Sequence, residues 1–207
     1  MNEKMTNHIE IILFDLGGVL VELVGVPTML EWTQNRWDVD QLWEAWLQSP
    51  AVRAFERGST AAAQFAVDLI SEMELSVEPG DFIEAFTFWP RALYPGVTEM
   101  LNKISKNFTL SCLSNSNELH WPRLMNEMEL SDKFSYHFAS HLTGKLKPDL
   151  DAFEHVLKEL DCDAEKILFL DDNEINVQGA LQAGMNAKTV RGIDEVKQIL
   201  NWNDLKY

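Results

Sequence analysis

Three short apolar runs, far apart in the chain, each end abruptly in a polar residue, and this pattern constrains the fold more than any other feature. Ile11-Ile12-Leu13-Phe14 ends at Asp15, Leu110-Ser111-Cys112-Leu113 at Ser114, and Ile167-Leu168-Phe169-Leu170 at Asp171-Asp172. Short apolar runs bounded by turn signals read as buried strands of a parallel sheet. In open α/β sheets, ligands bind at the carboxyl ends of the strands. A carboxylate, a hydroxyl and a carboxylate pair are therefore expected at one edge of one sheet.

Helical periodicity fills the intervals. Pro95-Gly96 opens a helix with Val97, Met100, Leu101 and Ile104 on one face, and Trp121 to Met128 reads as another. Tyr136–Ala139 is a shorter strand candidate. Pro148 suits the first position of a helix running to about Leu160. After Asp172 a helix is expected with Ile175, Ala180 and Leu181 inward, capped at Gly184. Asn186–Val190 and Ile193–Leu200 supply a last strand and helix. Strands alternating with helices predict an α/β fold with a parallel sheet and helices on both faces.

Between Glu22 and Trp89 strand-like runs vanish. Leu42, Trp43, Trp46 and Leu47, stopped by Pro50, form one helical stripe. Phe65, Leu69, Ile70 and Met73 form a second, and Phe82, Ile83 and Phe86 a third. The expected organisation is a core of residues 1–21 and 90–207 interrupted by an all-helical insert, 22–89. Trp32, Trp37, Trp43, Trp46 and Trp89 read chiefly as core packing of that insert.

A formal net charge of −16 disfavours nucleic acid, with no basic stripe to offset it. Met1–Glu10 lacks the basic start and apolar centre of a signal peptide. Ile11–Val26 is interrupted by Asp15, Gly17-Gly18 and Glu22, so it does not read as a membrane span. Cys112 and Cys162 form no disulfide framework and read as reduced thiols of a cytoplasmic protein.

At the strand ends, each polar group has a chemical and an ordinary reading. Asp15 either attacks phosphorus, forming an aspartyl-phosphate, or caps the next turn. Asp171 and Asp172 repel each other and call for a counter-charge such as Mg2+, or else act as helix caps. Ser114 and Asn115 offer hydrogen-bond donors to a phosphate, or simply form a turn. Lys147, with Lys145 as its rival, is a phosphate clamp or a solvated lysine. Gly17-Gly18 allows a tight turn and close approach to a ligand. The conjunction of nucleophile, donors, cation and paired acids in this chain order favours the chemical reading.

These residues resemble the four motifs of the haloacid dehalogenase-like hydrolase superfamily. Phe14-Asp15-Leu16-Gly17-Gly18-Val19-Leu20 resembles the first and Leu113-Ser114-Asn115 the second. Gly144-Lys145-Leu146-Lys147-Pro148-Asp149 resembles the third and selects Lys147 over Lys145. Phe169-Leu170-Asp171-Asp172-Asn173, continuing through Asn176, Gly179-Ala180 and Gly184, resembles the fourth. The resemblance implies a Rossmann-like core, a helical cap over the site and Mg2+-dependent hydrolysis of a small phosphorylated metabolite. It implies Asp15 as nucleophile, with Ser114, Asn115, Lys147 and Gly18 around the phosphoryl group. Metal ligation falls to Asp15, Asp172 and the Gly17 carbonyl, with Asp171 behind them.

One departure stands out. Most phosphatases of this superfamily carry a second Asp, the general acid-base, where this chain has Gly17. Such a group contributes roughly 100- to 10,000-fold. His120 is one candidate replacement, and Glu56-Arg57-Gly58 marks a turn of the insert where a residue facing the site is expected. The missing acid also admits a phosphate-binding protein with little turnover. A 2-haloacid dehalogenase would share Asp15, but the resemblance places serines where Asp171-Asp172 stand.

Overall fold

The computed structural model describes residues 9–202. Most of the Met1–Glu10 segment, read above as lacking a signal peptide, lies outside the described residues. In chain order, β1 (Ile11–Phe14) and β2 (Val21–Leu23) lead into five helices: α1 (Gly25–Trp32), α2 (Val39–Gln48), α3 (Pro50–Glu56), α4 (Ala62–Met73) and α5 (Pro79–Thr87). Next come β3 (Pro90–Leu93), α6 (Val97–Ile104), β4 (Thr109–Ser114), β5 (Tyr136–Ala139), the single turn α7 (Ser140–Thr143) and α8 (Leu150–Leu160). The chain closes with β6 (Ile167–Asp171), α9 (Glu174–Gln182), β7 (Asn186–Thr189) and α10 (Gly192–Trp202).

Five strands form one sheet in the order β5-β4-β1-β6-β7, every neighbouring pair parallel. Strand side chains alternate between faces, and here both faces are covered. Ile12, Phe14, Leu110, Cys112, Leu168 and Leu170 pack on one side with α6 and α10. Ile11, Leu13, Leu113, Phe138, Ile167 and Phe169 pack on the other with α8 and α9. This is the doubly covered α/β fold that the uninterrupted apolar runs predict.

The five helices between β2 and β3 surround a separate core. Phe55 stacks on Phe65 at 4.2 Å and Phe82 on Phe86 at 5.5 Å, with Trp46 and Trp89 against them. Local capping sets the helix starts. Asp38 and Gln41 form a reciprocal capping box on α2, while Ser49 caps α3 with Pro50 in its first turn. The antiparallel β2–β3 ribbon joins this insert to the sheet. At three and four residues, those strands are too short to leave a periodic signal.

Several expectations need correction. Trp43 and Leu47 are exposed, so α2 buries a narrower stripe than predicted. Residues Arg123–Glu127 form a π-helical turn within the helix expected over Trp121–Met128, and the wider turn buries both Leu124 and Met125. Pro148 precedes α8 instead of opening it, because Asp149 N–H closes a turn onto Leu146 O. In α9, Ile175 and Leu181 are 54% and 44% exposed, and the buried face runs through Val177, Gly179 and Ala180.

The cause of that rotation is Gly179. A Cβ there would lie 2.7 Å from Phe153 Cε2 and 2.8 Å from Pro148 O. Its bare backbone lets α9 pack directly against α8 and the loop that carries Lys147. Gly179→Ala is expected to lower folding stability by about 1–3 kcal/mol through overpacking, read as a shift of the urea unfolding midpoint.

Candidate active site

The sheet register assembles the site. Phe14 pairs with Leu170, so Asp15 and Asp171 leave adjacent strands at one level. Asp15 N–H donates to Leu170 O at 2.8 Å. Ser114 ends β4, the neighbour of β1 on the other side. Lys147 arrives from the loop between α7 and α8. Asn115 holds that loop through both ends of its amide: Lys147 N–H donates to Asn115 Oδ1 at 2.9 Å, and Asn115 Nδ2 donates to Lys147 O at 3.0 Å.

The Lys147 ammonium is buried, 2.7 Å from Asp15 Oδ1 and 2.6 Å from Asp171 Oδ2. Burial by itself would depress its pKa, but the two carboxylates raise it above the ordinary lysine value. Asp171, fully buried, also accepts from Asn173 N–H and from Asn176 Nδ2. Burial raises Asp15 to about 7 against the pull of Lys147, with Asp171 and Asp172 adding to the rise. Asp172 is raised to about 6, first by burial and then by Asp171.

Carboxylate oxygens of Asp15, Asp171 and Asp172 lie within 4.8 Å of one another. One ammonium faces three acids, and two of those acids are shifted upward. This hard-oxygen set with uncompensated negative charge fits a divalent cation such as Mg2+.

The sequence-derived candidates divide accordingly. Asp15, Lys147, Asp171 and Asp172 converge, with Ser114 at the end of the adjoining strand. Lys145 instead pairs with Asp151 at 3.0 Å on the surface. The Asn115 side chain positions Lys147. Gly18 is held by its backbone. Its N–H donates to Val21 O, and its carbonyl accepts from Gly192 N–H. A Cβ at Gly18 would lie 2.2 Å from Asp172 Oδ2, and its φ is +70°. Gly18 therefore makes room for Asp172.

At Gly17 the nearest atoms a Cβ would meet belong to the Leu23 side chain, from 2.9 Å. Leu23 is itself 43% exposed and can yield.

His120 does not meet the role suggested for it. Its Nε2 lies 2.7 Å from Phe86 O, which fixes the proton on that nitrogen, and its Nδ1 lies 3.2 Å from Asn117 Nδ2. Burial lowers its pKa to about 4. At neutral pH it is an uncharged tie between the insert and the core, its one ring proton engaged by Phe86 O.

The α3–α4 turn docks on the site. Arg53 and Arg57 of the insert both donate to Asp149 Oδ2, at 2.8 and 2.6 Å, two residues beyond Lys147. Gly58 lies so close to the His141 carbonyl that a Cβ would fall 2.3 Å from it. Ala62 N–H donates to Glu118 Oε1 at 2.8 Å. Glu56 lies within this docked turn. Burial raises its carboxyl to about 7, opposed by Lys147 and Arg53 and reinforced by Asp15. The Glu56-Arg57-Gly58 break in the helical stripes was the sequence signal for it.

The shift on Asp172 has a consequence for stability. Between its unfolded value of 3.8 and about 6, the native state holds a proton that the unfolded chain has released. Stability without metal should therefore fall as pH rises through this window, by an amount on the order of 2 kcal/mol. Urea unfolding in chelator, compared with Asp172→Asn, is expected to show the variant gaining on wild type from pH 4 to 6.5. A saturating divalent cation should remove that difference.

Comparison with known proteins places this geometry in a family. A family model described as haloacid dehalogenase-like hydrolase matches residues 9–184. A Pseudomonas syringae phosphoglycolate phosphatase is 27% identical over 184 residues, covering 85% of this chain and 67% of that protein. A sesquiterpene phosphatase of Aspergillus oryzae is 48% identical, but over only 54 residues, 26% of this chain and 28% of its own length. The chain thus spans well under half of that relative. In structure, a HAD family enzyme of Bacteroides thetaiotaomicron in complex with magnesium and inorganic phosphate superposes with a TM-score of 0.71. It is 23% identical, with 88% of this chain and 94% of that one covered. L-2-haloacid dehalogenase of Xanthobacter autotrophicus superposes at 0.62 and 20% identity, covering 88% and 77%. At these identities the structures establish the shared fold alone. The family match spans most of the chain and takes in Asp15, Ser114, Lys147 and the Asp171-Asp172 pair, so the protein is a member of the haloacid dehalogenase-like hydrolases.

Proposed function

We propose that this hydrolase is a Mg2+-dependent phosphatase of small phosphate monoesters, acting through an aspartyl-phosphate at Asp15. The observation that carries this reading is the cluster of buried Asp15, Lys147 and Asp171 with half-buried Asp172 at the strand ends. A phosphoryl group is best met by a carboxylate nucleophile, a fixed ammonium and a hard-metal site together. The phosphoglycolate and sesquiterpene phosphatases among its relatives support the same class. An Arabidopsis thaliana flavin mononucleotide hydrolase, 26% identical over 147 residues, does so too.

In this reading Asp15, Asp172 and the Gly17 backbone carbonyl would hold Mg2+, with Asp171 supporting them, and the bound ion would supply positive charge against the substrate phosphate and the crowded carboxylates. Asp15 attacks phosphorus along the line of the leaving oxygen. Lys147 and the Ser114 hydroxyl hold the phosphoryl oxygens, and Asn115 keeps Lys147 in register. Asp171 anchors the ammonium from behind. Water then cleaves the aspartyl-phosphate and returns Asp15.

Residues 22–89 serve as a cap over this site, which favours a small metabolite over a phosphoprotein. Among the described residues no helix is long and apolar enough to cross a membrane. The cytoplasm is the compartment that the thiols of Cys112 and Cys162 suit best. The strongly acidic charge weighs against a nucleic-acid substrate.

The dehalogenase alternative attacks carbon and has no use for a hard-metal site, so the Asp171-Asp172 pair weighs against it. Release of p-nitrophenol from p-nitrophenyl phosphate is expected with Mg2+ and not in chelator. Asp15→Asn should lower turnover at least about 1,000-fold, as loss of a covalent nucleophile does. Metal-independent turnover, or an active Asp15→Asn variant, would refute the reading.

A further inference from the structure

We propose that Glu56, the last residue of α3, is the proton donor and acceptor of this reaction, filling from the insert the role left open at Gly17. The assignment rests on the phosphatase reading and adds a catalytic residue to it.

The groups nearest the chemistry are already committed. Asp15 is the nucleophile. Asp171 is bonded to Lys147, Asn173 and Asn176. Asp172 stands in the cation site. Lys147, held by two carboxylates, is a poor acid. His120 is neutral and tied to Phe86 O and Asn117.

Glu56 is placed by geometry that does not depend on its own titration. Arg53, Glu56 and Arg57 occupy positions i, i+3 and i+4 of one helix face. Both arginines bind Asp149, in the loop that carries Lys147. Gly58 against His141 and Ala62 against Glu118 hold the rest of the turn over the strand ends. The end of α3 that carries Glu56 is thereby held beside the Lys147 loop, and the charges that act on its carboxyl are those of Lys147, Arg53 and Asp15. Arg53 faces it from its own helix, and since Asp149 balances only one of the two arginine charges, Arg53 still pulls the Glu56 carboxyl downward against its burial. A carboxyl raised to about 7 is matched to giving and taking a proton near neutral pH.

The proton balance closes over two half-reactions. As Asp15 bonds to phosphorus, the bond to the ester oxygen breaks, and the Glu56 proton passes to that oxygen to release the alcohol. The Glu56 carboxylate then takes a proton from water as the water oxygen bonds to phosphorus. The Asp15–phosphorus bond breaks, freeing inorganic phosphate and leaving Glu56 protonated. The net reaction is ester plus water giving alcohol plus phosphate.

Rapid-quench kinetics with p-nitrophenyl phosphate and Mg2+ separates the halves, because p-nitrophenolate leaves without a proton. Wild type should turn over. Glu56→Gln should still release a burst of about one p-nitrophenol per site, then slow roughly 100-fold or more, with phosphorylated Asp15 accumulating by mass spectrometry. Adding Gly17→Asp to Glu56→Gln should restore at least about tenfold of the lost rate. Formate should rescue Glu56→Ala, which a packing role would not allow. The assignment is overturned if Glu56→Gln turns over within about twofold of wild type, a change too small for a lost acid-base group. It is also overturned if the variant melts like wild type but loses burst and turnover together, or if neither rescue appears. A wild type with neither burst nor turnover refutes the phosphatase reading, and this assignment with it.

Discussion

A buried lysine ammonium held between two buried carboxylates is the constraint around which the active centre is organised. Removing such charges from water carries a desolvation penalty of several kcal/mol per ion, repaid only by close pairing and further hydrogen bonds. Lys147, Asp15 and Asp171 meet those terms at 2.6–2.7 Å, although Lys147 and Asp15 are 132 residues apart. Asp171 gains Asn173 and Asn176, and Lys147 gains the Asn115 amide on its peptide. Loss of any one partner would strand a charge in the interior, so strand order, loop path and helix packing are specified together.

The same loop is where the insert meets the sheet. Asp149 receives Arg53 from α3 and Arg57 from the residue just after it, while Pro148 O lies against the bare backbone of Gly179 in α9. Residues 147–149 therefore couple three regions: the ammonium in the centre, the insert above it and the helix after β6. His120 adds a further tie through Phe86 O, half-buried and neutral. The arginine–Asp149 pairs are partly exposed, so their contribution is orientation more than stability.

Fold alone does not choose the chemistry. The same α/β framework superposes on a haloacid dehalogenase and on an enzyme bound to magnesium and phosphate. The choice lies in a few strand-end residues. Here Asp171 and Asp172 bring two carboxylates to Asp15, and Gly18 gives up its side chain so that Asp172 can approach. Gly17 leaves a gap bordered by the exposed Leu23 side chain. In the proposed reading, the chemistry is shared between the sheet and the insert.

The strands were legible because a doubly buried strand must be apolar throughout, and its end is marked by the first residue that cannot be. That local rule located Asp15, Ser114 and the Asp171-Asp172 pair, and the parallel α/β sheet with them. Lys147 was legible only together with its motif, since a lone lysine carries no local signature. Other features were decided by contacts between distant segments. Gly179 rotates α9 so that Ile175 and Leu181 face outward, contrary to their polarity. Asn115 serves Lys147, His120 loses its charge to burial, and Glu56 acquires the burial that raises its carboxyl against the pull of Lys147 and Arg53. Hydrophobic period is written within a few consecutive residues, so sequence alone determines it. The electric field at a carboxyl or imidazole is the sum over groups brought together by folding, so only the tertiary structure decides it.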